Sequence, residues 1–249
     1  MPPALPALRW FASRSDSTIQ SRLICFPFAG SGASTYRTWC QAFGPGVNVC
    51  AVQLPGREDR LAETRYRHLA PLVDALATVL TPAFDAPYAF FGHSMGALIA
   101  FELARRLQQT GRPLPTRLFL SGHRSPDRRP ASSAIHALPD QEFMEALRRF
   151  GGTPDVLLND PEFVALALPV LRADFTLCET YEFVPGPALE VPLTILAATR
   201  DRHVPVEDLD GWARHSSRAT RVRMFDGDHF YVQTARDAVM RAVAEDLRD

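Results

Sequence analysis

The sequence predicts an α/β fold: a mostly parallel central sheet flanked by helices, with a helical insertion set into it. Two observations carry this. Short apolar runs alternate with amphipathic stretches along most of the chain, the pattern of a parallel sheet covered by helices. From about residue 130 to residue 186 that alternation stops and only helical patterns remain. The 249 residues, 46% hydrophobic, suit one domain with a large core, so residues 1–249 are expected as a single unit carrying the 130–186 insertion.

The elements follow in order. Residues 22–28 (RLICFPF), 47–54 (VNVCAVQL), 88–92 (YAFFG), 117–121 (RLFLS), 192–198 (PLTILAA) and 220–225 (TRVRMF) read as strands. Residues 69–84 and 97–110 have helical spacing; in the second, Leu98, Phe101, Leu103 and Ala104 face inward while Arg105, Arg106, Gln108 and Gln109 face water. Residues 232–247 close the chain as another amphipathic helix. Within the insertion, 140–150 begins at Asp140, read as an N-cap, and stops at Gly151-Gly152. Asp160-Pro161 opens a further helix, which Pro169 is expected to kink or interrupt. An insertion of this kind is most simply a cap over the C-terminal ends of the strands, where open α/β sheets bind ligands.

Composition excludes several chemistries. All 27 basic residues are arginine, and there is no lysine. Schiff-base catalysis, a Walker A phosphate loop and a Ser–Lys dyad are therefore ruled out. A net charge of −1 argues against a nucleic-acid binder. The four cysteines, Cys25, Cys40, Cys50 and Cys178, are far apart and form no C-x-x-C or metal-ligand spacing. Buried free thiols, no metal and a reducing cytoplasm are expected. Residues 1–20 lack a continuous apolar h-region, and no uncharged run reaches membrane-spanning length.

Gly92-His93-Ser94-Met95-Gly96 matches G-x-S-x-G between the strand at 88–92 and the helix that follows, the strand–turn–helix context the motif requires. A serine so placed projects its hydroxyl at a helix N-terminus, but it needs a base, and the base an orienting acid. With the chain order Ser, Asp, His, the base is assigned to His229, after the strand at 220–225 and before the last helix. His93 points into the turn, His203 and His215 read as surface residues, and His68, His123 and His136 precede the expected acid. The acid is assigned to Asp201, directly after the strand at 192–198; Asp226 and Asp228 lie too near His229 in sequence, and Asp208 and Asp210 belong to a following helix. The oxyanion donors are expected to be the backbone N–H groups of Met95 and of Ala29, the latter in the loop Pro27-Phe28-Ala29-Gly30-Ser31-Gly32.

The chain resembles the type II thioesterases of polyketide and nonribosomal peptide synthesis, within the α/β-hydrolase thioesterase family. The resemblance runs over nearly the whole length. It rests on Phe26-Pro27-Phe28-Ala29-Gly30, on 53–60 (QLPGREDR), on Phe91 through Gly96, on Gly151-Gly152-Thr153-Pro154, on 168–175 (LPVLRADF) and on Gly227-Asp228-His229-Phe230. The insertion motifs weigh most, since generic α/β-hydrolases lack them. The family's triad falls on Ser94, Asp201 and His229. Two departures are small: Ser31 replaces a frequent second glycine, and His123 stands in a stretch often richer in arginine.

The resemblance implies an acyl or aminoacyl thioester on the phosphopantetheine of a carrier protein as substrate, no cofactor of the enzyme's own, and an editing role. The insertion becomes a lid over the acyl chamber, with Phe28, Phe143, Met144, Leu147, Phe150, Phe163, Leu166 and Val170 lining the chamber or packing the lid. Acyl or peptidyl carrier domains are the implied partners; Arg57, Arg60, Arg128 and Arg129 are candidates to steer them. Neither nucleic acid nor membrane is expected to bind, and a cytoplasmic monomer is expected. A medium-chain fatty acyl-carrier-protein thioesterase, a generic carboxylesterase and a non-catalytic hydrolase-fold binding protein remain open alternatives.

Overall fold

The computed structural model describes residues 11–12, 19–128 and 133–248. Among them runs a seven-stranded sheet in the order β1-β3-β2-β4-β5-β6-β7. Its strands are β1 (Phe11–Ala12), β2 (Ser21–Phe26), β3 (Val47–Val52), β4 (Tyr88–His93), β5 (Leu118–Ser121), β6 (Leu193–Ala198) and β7 (Thr220–Phe225). All neighbours pair parallel except β1, which pairs antiparallel with β3 at the edge. Two residues carry no periodicity, which is why β1 is invisible in the sequence pattern.

Helices α1 (Leu69–Val79) and α2 (Met95–Gln109) cover one face of the sheet. The core there gathers Phe26, Phe90, Leu98, Phe101, Leu118 and Ile195. Helix α1 ends five residues before the expected boundary and continues as a 3-10 turn through Thr81–Phe84, because Pro82 cannot donate to the helical ladder. Arg105 of α2, expected in water, is buried: it bonds Glu102 and the Val184 carbonyl and lies over the rings of Phe101 and Phe183. Its long stem and planar head let it cover apolar surface while keeping its charge paired.

The opposite face packs against Tyr36, Trp39 and the C-terminal segment. The expected helix over 232–247 divides at Ala235 into α6 (Tyr231–Thr234) and α7 (Arg236–Asp246). Trp39 and Phe91 meet at 4.6 Å between centroids, and Val239 and Val243 fill the remainder. Cys25 and Cys50 are buried free thiols in these two layers, as composition implied.

Between β5 and β6 lie α3 (Asp140–Phe150), α4 (Asp155–Leu158) and α5 (Pro161–Glu179). Pro139, not Asp140, occupies the N-cap position of α3; Asp140 is its first helical residue, where its charge still meets the helix dipole. Asp160 caps α5 through its carboxylate, which accepts the Glu162 and Phe163 N–H groups, with Pro161 at the first position. Pro169 does not interrupt α5, which runs unbroken through it. Pro169 and Ala165 are both exposed, so the one carbonyl that loses its partner is left to water. The start of the expected insertion, residues 130–132, lies outside the described residues.

Parallel register fixes where the site must form. Phe26 pairs with Gly92, and His93 with Ser121, so β2, β4 and β5 end at one level. The loops that follow these strands, and the one after β6, therefore open along a single edge of the sheet.

Candidate active site

Ser94 sits between β4 and α2 with φ 52° and ψ −117°, a backbone conformation that non-glycine residues rarely adopt. Such strain costs on the order of 1–3 kcal/mol and persists only where the surroundings enforce it. Here they do. The Ser94 N–H donates to the Ser121 carbonyl, and its own carbonyl accepts from Ala97 and Leu98. A Cβ on Gly92 would fall 2.0 Å from the Gly96 carbonyl oxygen, and one on Gly96 would fall 2.3 Å from that of Phe26. Only glycine at both positions lets strand and helix meet this tightly.

His229 Nε2 lies 3.1 Å from Ser94 Oγ, and His229 Nδ1 lies 2.7 Å from Asp201 Oδ2. A carboxylate only accepts, so Nδ1 carries the proton and Nε2 is left to accept from the serine hydroxyl. Asp201 is itself fixed, its Oδ1 accepting the His203 and Val204 N–H groups at 2.8 and 3.2 Å. Burial by itself would raise the Asp201 carboxyl, but the hydrogen bond and charge of His229 and the His203 N–H outweigh it and hold it below the ordinary carboxylate range. The three residues assigned from chain order thus stand within hydrogen-bond reach of one another. Asp226 is instead exposed and paired with Arg200.

Among the described residues, neither the Met95 N–H nor the Ala29 N–H has a partner. Both residues line a cavity of about 510 Å³ that also opens onto Ser94 and His229. Its walls include Phe28, Leu147, Phe150, Phe163, Ala167 and Leu171. From α5, Phe163, Ala167, Leu171 and Phe175 face it, a stripe at four-residue spacing. Leu166 falls about 120° around the helix from that stripe's centre and is 56% exposed, so it neither lines the chamber nor packs the lid. Phe143 and Met144 pack with Leu147, Leu171 and Phe175 inside the insertion, and Val170 is buried outside the cavity wall.

Two arrangements escaped the sequence reading. His203, read as a surface residue, stacks on Phe150 with ring centroids 4.0 Å apart, and Phe150 turns its edge to His229 at 5.5 Å. Phe150, the last residue of α3, thereby holds the insertion against the base. Burial and the neighbouring His229 charge lower the His203 pKa. The second concerns the arginines. Arg57 is buried and forms a two-pronged ion pair with Asp174 of α5, and Arg60 is buried against Glu63 and the Gln53 carbonyl. Neither is available to steer a partner. Arg128 is exposed, and Arg129 lies outside the described residues. The signal was present at Asp174: an acid amid an apolar helical run, VLRADFTLC, needs a buried cation.

His93, the last residue of β4, is fully buried with Nδ1 2.9 Å from Ser121 Oγ; burial, then the His229 charge, push its pKa well down. Among the described residues, no group of three or more His, Cys, Asp or Glu side chains is placed to hold a metal, and no helix is long and apolar enough to cross a membrane.

Comparison with known proteins adds a consistent picture. The thioesterase domain family matches residues 21–247. The gramicidin S biosynthesis protein GrsT of Aneurinibacillus migulanus is 38% identical over 241 residues, 96% of this chain and 94% of that protein. The structure of the type II thioesterase BorB from the borrelidin biosynthetic cluster superposes with a TM-score of 0.86 at 37% identity, covering 95% of this chain and 97% of the other. RedJ, a thioesterase from the prodiginine biosynthetic pathway in Streptomyces coelicolor, gives 0.86 at 36% identity over 98% and 96%.

Proposed function

This chain belongs to the thioesterase domain family and is an α/β-hydrolase enzyme that cleaves thioesters, and from that premise we propose that it is a type II, editing thioesterase. Its substrates are acyl groups on the phosphopantetheine of acyl or peptidyl carrier domains in polyketide or nonribosomal peptide synthesis. The single observation that supports the chemistry best is the Ser94–His229–Asp201 chain of hydrogen bonds, set in a cavity beside two unpartnered N–H groups. The names of the relatives, drawn from gramicidin S, borrelidin and prodiginine biosynthesis, support the setting.

In the proposed mechanism Ser94 Oγ attacks the thioester carbonyl carbon while His229 Nε2 takes the hydroxyl proton. Asp201 stabilises the resulting imidazolium without being protonated. The carbonyl oxygen becomes an oxyanion held by the Met95 and Ala29 N–H groups, each donor worth about 3–4 kcal/mol where such groups have been removed from other enzymes. Collapse breaks the C–S bond; the pantetheine thiolate leaves and takes the proton from His229. Water then gives a proton to His229 and attacks the acyl-serine. The second oxyanion collapses to a carboxylic acid, and Ser94 regains its proton. No cofactor enters either step.

The helices between β5 and β6 serve as the lid, walling the acyl chamber with Leu147, Phe150 and Phe163. Of the four arginines weighed for carrier docking, Arg128 is the described one left on the surface. Charge reversal in Arg128→Glu should slow turnover of acyl-carrier protein several-fold and leave free acyl-pantetheine turnover unchanged; equal rates on the carrier substrate would dismiss the docking role. The proposed setting is the cytoplasm, with the enzyme acting as a monomer.

The test is a panel of acyl-carrier-protein thioesters of graded chain length beside matched oxygen esters, assayed with wild type and Ser94→Ala. Faster cleavage of short, varied carrier thioesters, lost in Ser94→Ala, supports the editing reading. A sharp medium-chain optimum would favour a fatty-acid thioesterase, and a preference for oxygen esters a carboxylesterase. Hydrolysis that survives in Ser94→Ala would end the nucleophile assignment.

A further inference from the structure

Asp174 lies on α5, in the insertion that walls the chamber, yet it is 1% exposed and reaches the loop after β2. Its Oδ2 accepts the Gly30 N–H at 2.8 Å and Arg57 Nη1 at 2.9 Å, while Oδ1 accepts Arg57 Nη2 at 2.8 Å. Arg57 Nη1 also donates to the Ser31 carbonyl at 3.0 Å. On the other flank, the Ser31 N–H and hydroxyl both donate to the Phe28 carbonyl. The Gly30 and Ser31 N–H groups that follow Ala29 are thus engaged, while among the described residues the Ala29 N–H has no partner and is left for a ligand.

The conformation of Gly30 ties the loop to α5 as well. Gly30 has φ 77°, a left-handed conformation, and a Cβ there would fall 2.5 Å from Leu171 Cδ2. Leu171 and Asp174 are three residues apart on α5, so one helical face both packs on Gly30 and takes its N–H. A buried ion pair is weak evidence for stability, since desolvation offsets most of its attraction. What this pair supplies is orientation: a fork of four charge-assisted hydrogen bonds with one solution.

We propose that Asp174, held by Arg57, is a positioning residue that keeps the oxyanion loop in register by binding the Gly30 N–H, so that the Ala29 N–H stays free toward the reacting carbonyl. The inference rests on the thioesterase reading above and extends it: the helix that walls the acyl chamber through Phe163 and Ala167 also sets the oxyanion donor. Chamber and oxyanion site are therefore one unit, assembled only when α5 is seated.

The test compares Asp174→Asn, whose amide oxygen still accepts the Gly30 N–H, with Asp174→Ala, which offers no acceptor. With an acyl-pantetheine substrate, kcat should fall about 100-fold in Asp174→Ala and no more than about tenfold in Asp174→Asn, with KM within about threefold in both. The inhibition constant of an alkylboronic acid, whose tetrahedral adduct places an oxygen at the oxyanion position, should rise in proportion to the loss in kcat. Binding of acyl-pantetheine on a Ser94→Ala background should not move. Should the lone arginine prevent folding, the same comparison is made with Arg57→Met in both members, which removes the unpaired charge. Equal kcat in the Asn and Ala members of either pair overturns the proposal. Activity that persists in Ser94→Ala overturns the underlying reading instead, so the two failures are distinct.

Discussion

Replacing Asp201 by asparagine should reverse the tautomer of His229, and the structure says how completely. Oδ1 of Asp201 accepts two backbone N–H groups, from His203 and Val204. In Asp201→Asn the amide oxygen must stay there, because turning the amide would set its NH₂ against both donors. Leaving those two N–H groups unsatisfied costs at least about 2 kcal/mol. The NH₂ therefore faces His229 Nδ1 and donates to it, the proton moves to Nε2, and Nε2 can no longer accept from Ser94. At 2 kcal/mol the productive, turned amide is populated to only about 3%, which caps residual activity at that level. The comparable change in another serine hydrolase costs about 10⁴ in kcat, or about 5.5 kcal/mol. The assay is steady-state hydrolysis of an acyl-pantetheine, with a thermal melt to confirm folding. We expect kcat below 3% of wild type with KM little changed. A folded Asp201→Asn enzyme retaining more than about 10% of kcat would refute the assigned role of Asp201.

Three further outcomes follow from the same geometry. Gly96→Ala drives a Cβ into the Phe26 carbonyl at 2.3 Å between two rigid elements; it should lower unfolding free energy by about 2–3 kcal/mol in urea titration, and a neutral effect would contradict the close approach. Phe150→Ala removes the ring that stacks on His203 and walls the chamber; kcat/KM for long over short acyl thioesters should rise about tenfold, and an unchanged ratio would show that Phe150 does not limit the chamber. Burial, then the adjacent Arg124 charge, lower the His123 pKa to about 4, and His93 is pushed down in the same sense. The unfolded chain then binds more protons from pH 6.5 downward, so stability must fall across that window, by up to about 3 kcal/mol at pH 4 for His123 alone. Loss of the depressed Asp201 carboxylate adds to it at lower pH. A urea midpoint that is flat between pH 6.5 and 4.5 would contradict this.

How much of this was legible in the sequence depended on whether the signal was local. The core strands and α2 announce themselves because a strand buried on both faces must be apolar throughout and a half-covered helix must alternate. Ser94 was legible because a strained strand-to-helix turn needs glycines at fixed offsets. Asp201 and His229 followed from chain order combined with their places after strands. What stayed hidden lay in long-range pairings. Arg57 and Asp174 sit 117 residues apart; the apolar run around Asp174 calls for a buried cation, but nothing local says that Arg57 supplies it until α5 is folded over the loop after β2. Phe150 and His203 meet only when the insertion is seated. Leu166 was misread because helical spacing gives a face but not which face meets the cavity, and the interruption expected at Pro169 as one outcome does not occur, since a proline's cost depends on whether the orphaned carbonyl meets water.

The central claim is that thioester cleavage passes through an ester on the Ser94 oxygen. Its most direct test is the intact mass of the enzyme, acid-quenched during turnover of an acyl-carrier thioester, followed by peptide mapping. The account predicts a mass increment equal to the acyl group, on the peptide bearing Ser94 and absent from Ser94→Ala. Full hydrolysis by Ser94→Ala, or an acyl group mapped to another residue on the path to product, would contradict it.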